Sequence, residues 1–101
     1  MVRAEMPRRS QDIPEDYTEY EQALAHAIGA RIRQRRRQLK LTQENVRVKM
    51  ELESVHVSRA RFSRIEIGAA LPDAAEILAL AVALDVSCSW LLRGREEEAR
   101  R

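Results

Sequence analysis

Apolar residues recur at helical intervals along most of this chain. Leu24, Ile28, Ile32 and Leu39 fall on one stripe, so the spacing predicts a first helix over about residues 19–39. Thr18-Glu-Tyr-Glu21 has the spacing of a capping box, with Thr18 accepting from the third amide and Glu21 reaching back. Thr42 is an N-cap for a second helix that carries Val46 and Met50 four apart and continues to about Glu53. Ser54-Val-His-Val57 then leads to Ser58, the cap of a third helix that ends near Ile67, with Gly68 just past it. Pro72-Asp73 opens a fourth helix, Ala74 to Leu84, whose Ile77, Leu78, Ala81 and Leu84 are expected to face the core. Asp85-Val-Ser87 is a turn, and Ser87 caps a short fifth helix over Cys88–Leu92. No strand pattern and no internal repeat interrupts the series. Five short helices with tight connections predict an all-α bundle.

The ends differ from the middle. Residues 1–17 contain Pro7 and Pro14 with little apolar periodicity and read as a mobile N-terminal arm. Residues 18–94 form the expected domain, and residues 95–101 a charged C-terminal tail. A chain of 101 residues is one domain with a single modest core. Its 4% aromatic content and three glycines suggest a helical core of aliphatic side chains. Cys88 is the single cysteine, which excludes an intrachain disulfide and fits a reducing compartment. No apolar run approaches the roughly 20 residues of a membrane span. Met1-Val-Arg-Ala-Glu-Met-Pro7 lacks the apolar core of a secretory signal, so a cytoplasmic location and no membrane partner are expected.

Charge changes the picture more. The formal net charge of +2 hides a strong segregation. Residues 1–21 carry three Arg against six acids, residues 22–65 eleven Lys or Arg against three acids, and residues 66–101 four Arg against seven acids. A basic middle between acidic ends suggests a polyanion-binding face. No acid occurs between Glu21 and Glu44, so the cations ending the first helix have no partner on that helix. The third helix concentrates the signal. Phe62 and Ile65 lie three apart on an apolar stripe, and Arg59, Arg61, Ser63 and Arg64 fill the other face. A short helix, apolar beneath and cationic above, suits the major groove of B-DNA.

Two helices joined by a tight connection, the second carrying polar readers, define a helix-turn-helix. Ile28-Gly-Ala-Arg-Ile-Arg, Leu41-Thr-Gln-Glu, Ser58 with Phe62-Ser-Arg-Ile-Glu-Ile-Gly68, Ile77-Leu-Ala-Leu-Ala81, Leu84-Asp-Val-Ser and Trp90-Leu-Leu resemble the Xre/Cro-type helix-turn-helix family, which includes the repressors of lambdoid phages. The resemblance covers about residues 28–94 and implies a five-helix lambda-repressor-like bundle. Gln43 and Ser58 stand further apart than in most of the family, which resembles its long-second-helix branch. Ser54 stands where a glycine is usual. Arg47 replaces a small alanine, its stem expected to cover the helix pair while its head reaches water. Arg35 replaces a usual leucine, weakening the first helix's stripe and adding charge.

The resemblance implies that the N-terminal end of the third helix enters the major groove. Arg59 would lead as base reader and Arg64 follow, since a guanidinium bonds bidentately to guanine O6 and N7. Ala60 would meet a thymine methyl, and Ser63 can bond either kind of base edge. Gln43, Ser58, Arg61, Arg36, Arg37 and Lys40 would contact phosphates, supplying affinity and register rather than sequence choice, with a base contact also open to Arg61. Trp90, Leu91 and Leu92 would be core or a dimer surface, and a homodimer on a pseudo-palindromic site is implied.

His26 and His56 are isolated, with no carboxylate or cysteine cluster at metal spacing, so no metal and no cofactor is expected. No nucleophile–base pairing and no phosphate-cradling glycine loop points to an enzyme. The expectation is a sequence-specific DNA-binding transcriptional regulator, a dimeric repressor, with double-stranded DNA as partner. The competing expectation is a protein-interaction module, an antitoxin or bridging factor with a protein partner.

Overall fold

The computed structural model describes residues 15–95, with the side chains of residues 15–17 left aside. Residues 1–14 and 96–101, which hold most of the expected arm and tail, lie outside the described residues. Five helices follow in order: α1 Glu15–Gln38, α2 Gln43–Leu52, α3 Arg59–Glu66, α4 Ala74–Leu84 and α5 Cys88–Arg93. Among the described residues there is no strand. The long α1 packs against α3, α4 and α5, while α2 lies against α3 and α4. Ile28, Ile32, Val46, Met50, Phe62, Ile65, Leu80, Leu84 and Leu91 are fully buried and make one aliphatic core around Phe62.

Side-chain caps start the last four helices as their sequence suggests. Thr42, Ser58, Asp73 and Ser87 each accept the amide three residues on. Asn45 and Glu76 reciprocate by accepting the amides of Thr42 and Asp73, completing two capping boxes. The first helix is the exception. It begins at Glu15, so Thr18 is an interior residue rather than its N-cap. Residues three apart also neighbour one another on a helix surface, so the Thr18–Glu21 spacing is equally at home inside a helix.

Four helices end in one way. The amide after the turn residue returns to the carbonyl five back, in Leu41 to Arg36, Val55 to Met50, Ala69 to Arg64 and Val86 to Ala81. The turn residues Lys40, Ser54, Gly68 and Asp85 take φ of 60°, 67°, 81° and 56°, the left-handed geometry of the Schellman motif. Leu41, Val55 and Val86 then tuck against the core, the apolar contact that accompanies this motif. Ser54 holds the left-handed angle itself although it carries a Cβ.

Glycine at position 68 answers a steric demand as well as an angular one. A Cβ there would lie 2.8 Å from the Cα of His26 on α1. Gly29, one turn along α1, faces the carbonyl oxygens of Ile65 and Glu66, and its Cβ would come within 2.6 Å of the latter. Both glycines let α1 and α3 approach backbone to backbone.

Of the four α4 residues expected in the core, Ile77, Ala81 and Leu84 are buried and Leu78 is not. Leu78 is 62% exposed and Val82 60%, whereas Ala79, Leu80 and Ala83 are buried beside Ile77, Ala81 and Leu84. Ala74–Leu84 is apolar all round apart from Glu76, so periodicity alone could not orient it.

Gly29→Ala should cost about 1–3 kcal/mol, because the new methyl meets backbone that has no room to yield. The expected readout is a thermal midpoint lowered by several degrees, checked by circular dichroism against an Ala30→Gly control on the exposed side of α1.

Candidate nucleic-acid interface

The outward side of α3 is a small, uncommitted cationic surface. Arg59, Ala60 and Arg64 are exposed, and among the described residues no hydrogen bond or ion pair holds either guanidinium. Ser58, at the N-terminus, is exposed and accepts the Arg61 amide through Oγ at 3.1 Å. Ser63 is half-buried on the side facing α2. Arg37 and Lys40, at the end of α1, are exposed as well. Five of the residues expected on the DNA, Arg59, Ala60, Arg64, Arg37 and Lys40, therefore have side chains directed to solvent.

The other face of α3 is fixed by apolar packing and two buried carboxylates. Phe62 and Ile65 enter the core, and Glu66 beside them is 2% exposed. Arg36 of α1 closes on Glu66 through Nε at 2.6 Å and Nη2 at 3.0 Å, while its Nη1 donates to the Leu41 carbonyl at 3.0 Å. The hydrogen bonding to Glu66, with the attraction of its charge, raises the Arg36 pKa above its ordinary value against the opposing effect of burial. Gln43, the first residue of α2, donates from Nε2 to the same carboxylate at 2.9 Å and accepts the Ser63 hydroxyl on Oε1 at 3.2 Å. One acid thus joins α1, α2 and α3.

Glu76 joins two helices at the other flank. Arg61 donates to it from Nε at 2.7 Å and from Nη2 at 2.8 Å, tying α3 to the first turn of α4. Arg61 holds the Glu76 carboxyl below its ordinary range, chiefly through this hydrogen bond and also through the Asp73 amide, against the opposing effect of burial.

Two residues expected at phosphates are engaged in these pairs. Arg36 gives Nε, Nη1 and Nη2 to internal acceptors. Arg61, 37% exposed, commits its Nε and Nη2 to Glu76 and keeps only Nη1 without a partner among the described residues. Three further arginines of α1 are also employed inward. Arg31 donates to the Leu91 carbonyl at 2.7 Å, Arg33 to that of Glu66 at 3.4 Å, and Arg35 to those of Leu84 and Asp85 at 2.9 and 3.5 Å. Each satisfies carbonyls that a helix C-terminus leaves unpaired. Arg35 therefore replaces a leucine's packing with a cap on α4. Arg47 likewise keeps its head in, donating to the Val57 carbonyl at 2.9 Å and pairing with Glu44, instead of releasing it to water.

At the far end, Leu91 is fully buried and belongs to the core, Trp90 is half-buried, and Leu92 is exposed. Of the two roles expected for these residues, core or dimer surface, Leu91 takes the first. Among the described residues no group of three or more His, Cys, Asp or Glu is placed to hold a metal ion, and no helix is long and apolar enough to cross a membrane.

Sequence reading overlooked Glu66 and Glu76. Both carried a signal. Glu66 follows Phe62 by four and Ile65 by one, on the buried stripe, and Glu76 completes Asp-x-x-Glu at a helix start.

Removing one partner of a buried pair strands the other charge, so Arg36→Met should destabilise the fold by about 3–5 kcal/mol in urea titration. The Arg61–Glu76 pair behaves differently with pH. A lowered carboxylate pKa gives stability that is present above the ordinary glutamate value of 4.5 and is lost as pH falls through the lowered one. Acidification from pH 7 to pH 3 is expected to cost the native protein more than Glu76→Gln. An equal loss in both would show that this pair contributes nothing to acid sensitivity.

A helix-turn-helix domain model matches residues 27–89, from the middle of α1 into α5. No curated protein and no solved structure matches the chain. The matched stretch holds α2, α3 and the Glu66 network that joins them, and spans more than half of the sequence. The chain belongs to the helix-turn-helix domain family.

Proposed function

We propose that the protein is a sequence-specific DNA-binding transcriptional regulator of the Xre/Cro type. It acts as a dimeric repressor on a pseudo-palindromic operator, read through α3. The observation that carries this reading is the division of labour on α3. Phe62, Ile65 and Glu66 are buried and fixed, while Arg59, Ala60 and Arg64 face solvent with no internal duty. Guanidinium groups left free on a rigid helix are suited to guanine O6 and N7. Arg37, Lys40, Ser58, the first amides of α2 at Gln43 and the remaining Nη1 of Arg61 supply the phosphate contacts. Helix N-termini favour such anions. Occupying a promoter would repress without any enzymatic step, and the half-buried Trp90 with exposed Leu92 would contribute to pairing of two copies.

A second reading, a protein-interaction module such as an antitoxin or bridging factor, is favoured by one feature. Leu52, Leu78 and Val82 are 78%, 62% and 60% exposed, apolar surface that a purely DNA-directed domain does not need.

Selection from a random duplex library at about 150 mM salt separates the two. The expected result is a pseudo-palindrome with half-sites about 10 base pairs, or a multiple, apart. Arg59→Ala and Arg64→Ala should each cost about 1–3 kcal/mol and relax the preference at one position. Arg37→Ala and Lys40→Ala should weaken all sequences alike and each lower the salt slope by about one. No enriched sequence would sink the DNA reading and leave the protein partner.

A further inference from the structure

Glu66 determines the polarity of the groups that touch it. Its carboxylate receives Nε and Nη2 of Arg36 and is therefore an acceptor only. Gln43 must accordingly turn its NH2 group toward Glu66, which leaves Oε1 facing α3. That oxygen accepts the hydroxyl proton of Ser63. A serine hydroxyl has one proton and two lone pairs, so Ser63 retains only lone pairs to offer outward. It sits half-buried, one turn beyond Arg59 and Ala60 and directly before Arg64.

We propose that Ser63 is an acceptor-only reader. On the strand it faces it selects adenine or cytosine, whose N6 and N4 amino groups donate, over guanine or thymine, whose O6 and O4 only accept. The inference rests on the reading that α3 enters the major groove. Phosphate and sugar oxygens are acceptors, so the DNA backbone cannot satisfy a hydroxyl whose proton is already given. In the major groove the donors are the base amino groups. Specificity at this position is thus set from inside the protein, by a buried acid acting through Gln43. Gln43 and Glu66 are positioning residues here, and Ser63 makes the contact.

Library selection with the native chain, Ser63→Ala and Gln43→Met tests this. The native protein should show one half-site position enriched about tenfold in adenine or cytosine, the scale of one neutral hydrogen bond. Ser63→Ala should flatten that position and leave the others intact. Gln43→Met accepts nothing, so it should free the hydroxyl proton and raise guanine and thymine at that same position, whatever it does to overall affinity. An operator whose preferences survive Ser63→Ala unchanged would overturn the inference while leaving the DNA reading standing. So would a position that prefers guanine or thymine and depends on Ser63. An unchanged preference in Gln43→Met would overturn the relay through Gln43. No enriched site with the native chain would remove the groove reading, and this inference with it.

Discussion

The architecture depends on a carboxylate without water. Glu66 is one of two buried charged side chains among the described residues, and three helices meet at its oxygens. A buried carboxylate is costly unless its lone pairs are met and its charge balanced. Arg36 and Gln43 together do both. Such a pair adds little net stability compared with well-packed apolar groups, but it tolerates few arrangements. The consequence is positional. With Phe62 and Ile65 in the core, Gly29 and Gly68 against α1, and Arg61 on Glu76, α3 is fixed from several sides.

The basic middle of the sequence therefore means something other than its charge suggests. Arg31, Arg33, Arg35, Arg36 and Arg47 spend hydrogen bonds on carbonyls at the ends of helices and loops. Five helices in a small body leave many carbonyls unpaired, and long arginine side chains reach them where water would otherwise have to. The cations of this middle segment left without a partner among the described residues are fewer: Arg37 and Lys40 at the end of α1, Lys49 on α2, and Arg59 and Arg64 on the outer face of α3. The field a ligand meets is narrower and better aimed than the composition implies.

Much of this was legible in the sequence. Caps at Thr42, Ser58, Asp73 and Ser87 place four helix starts, because a side chain and an amide three residues apart settle the geometry locally. The core stripe of Ile28, Ile32, Phe62 and Ile65 follows from helical period alone. What escaped were matters of tertiary contact. Thr18 and Glu21 fit a helix start and a helix interior equally well. Residues 74–84 are apolar on every side, so nothing in them distinguishes Leu78, which faces out, from Leu80, which faces in. The fates of Arg36 and Arg61 were hidden because their partners lie 30 and 15 residues away in sequence. Formal charge counts a guanidinium the same whether it faces solvent or a buried acid.

The segregation of duties on α3 has a consequence for how such a chain changes. Arg59, Ala60 and Arg64 point outward and touch nothing that holds the bundle together, whereas Phe62, Ile65 and Glu66 carry the attachment. The three outward positions can be exchanged without repacking the interior, so on the proposed reading the molecule can acquire a new address while keeping its chassis. Ser63 lies on the boundary between the two sets, where on that reading altering the address also touches the frame.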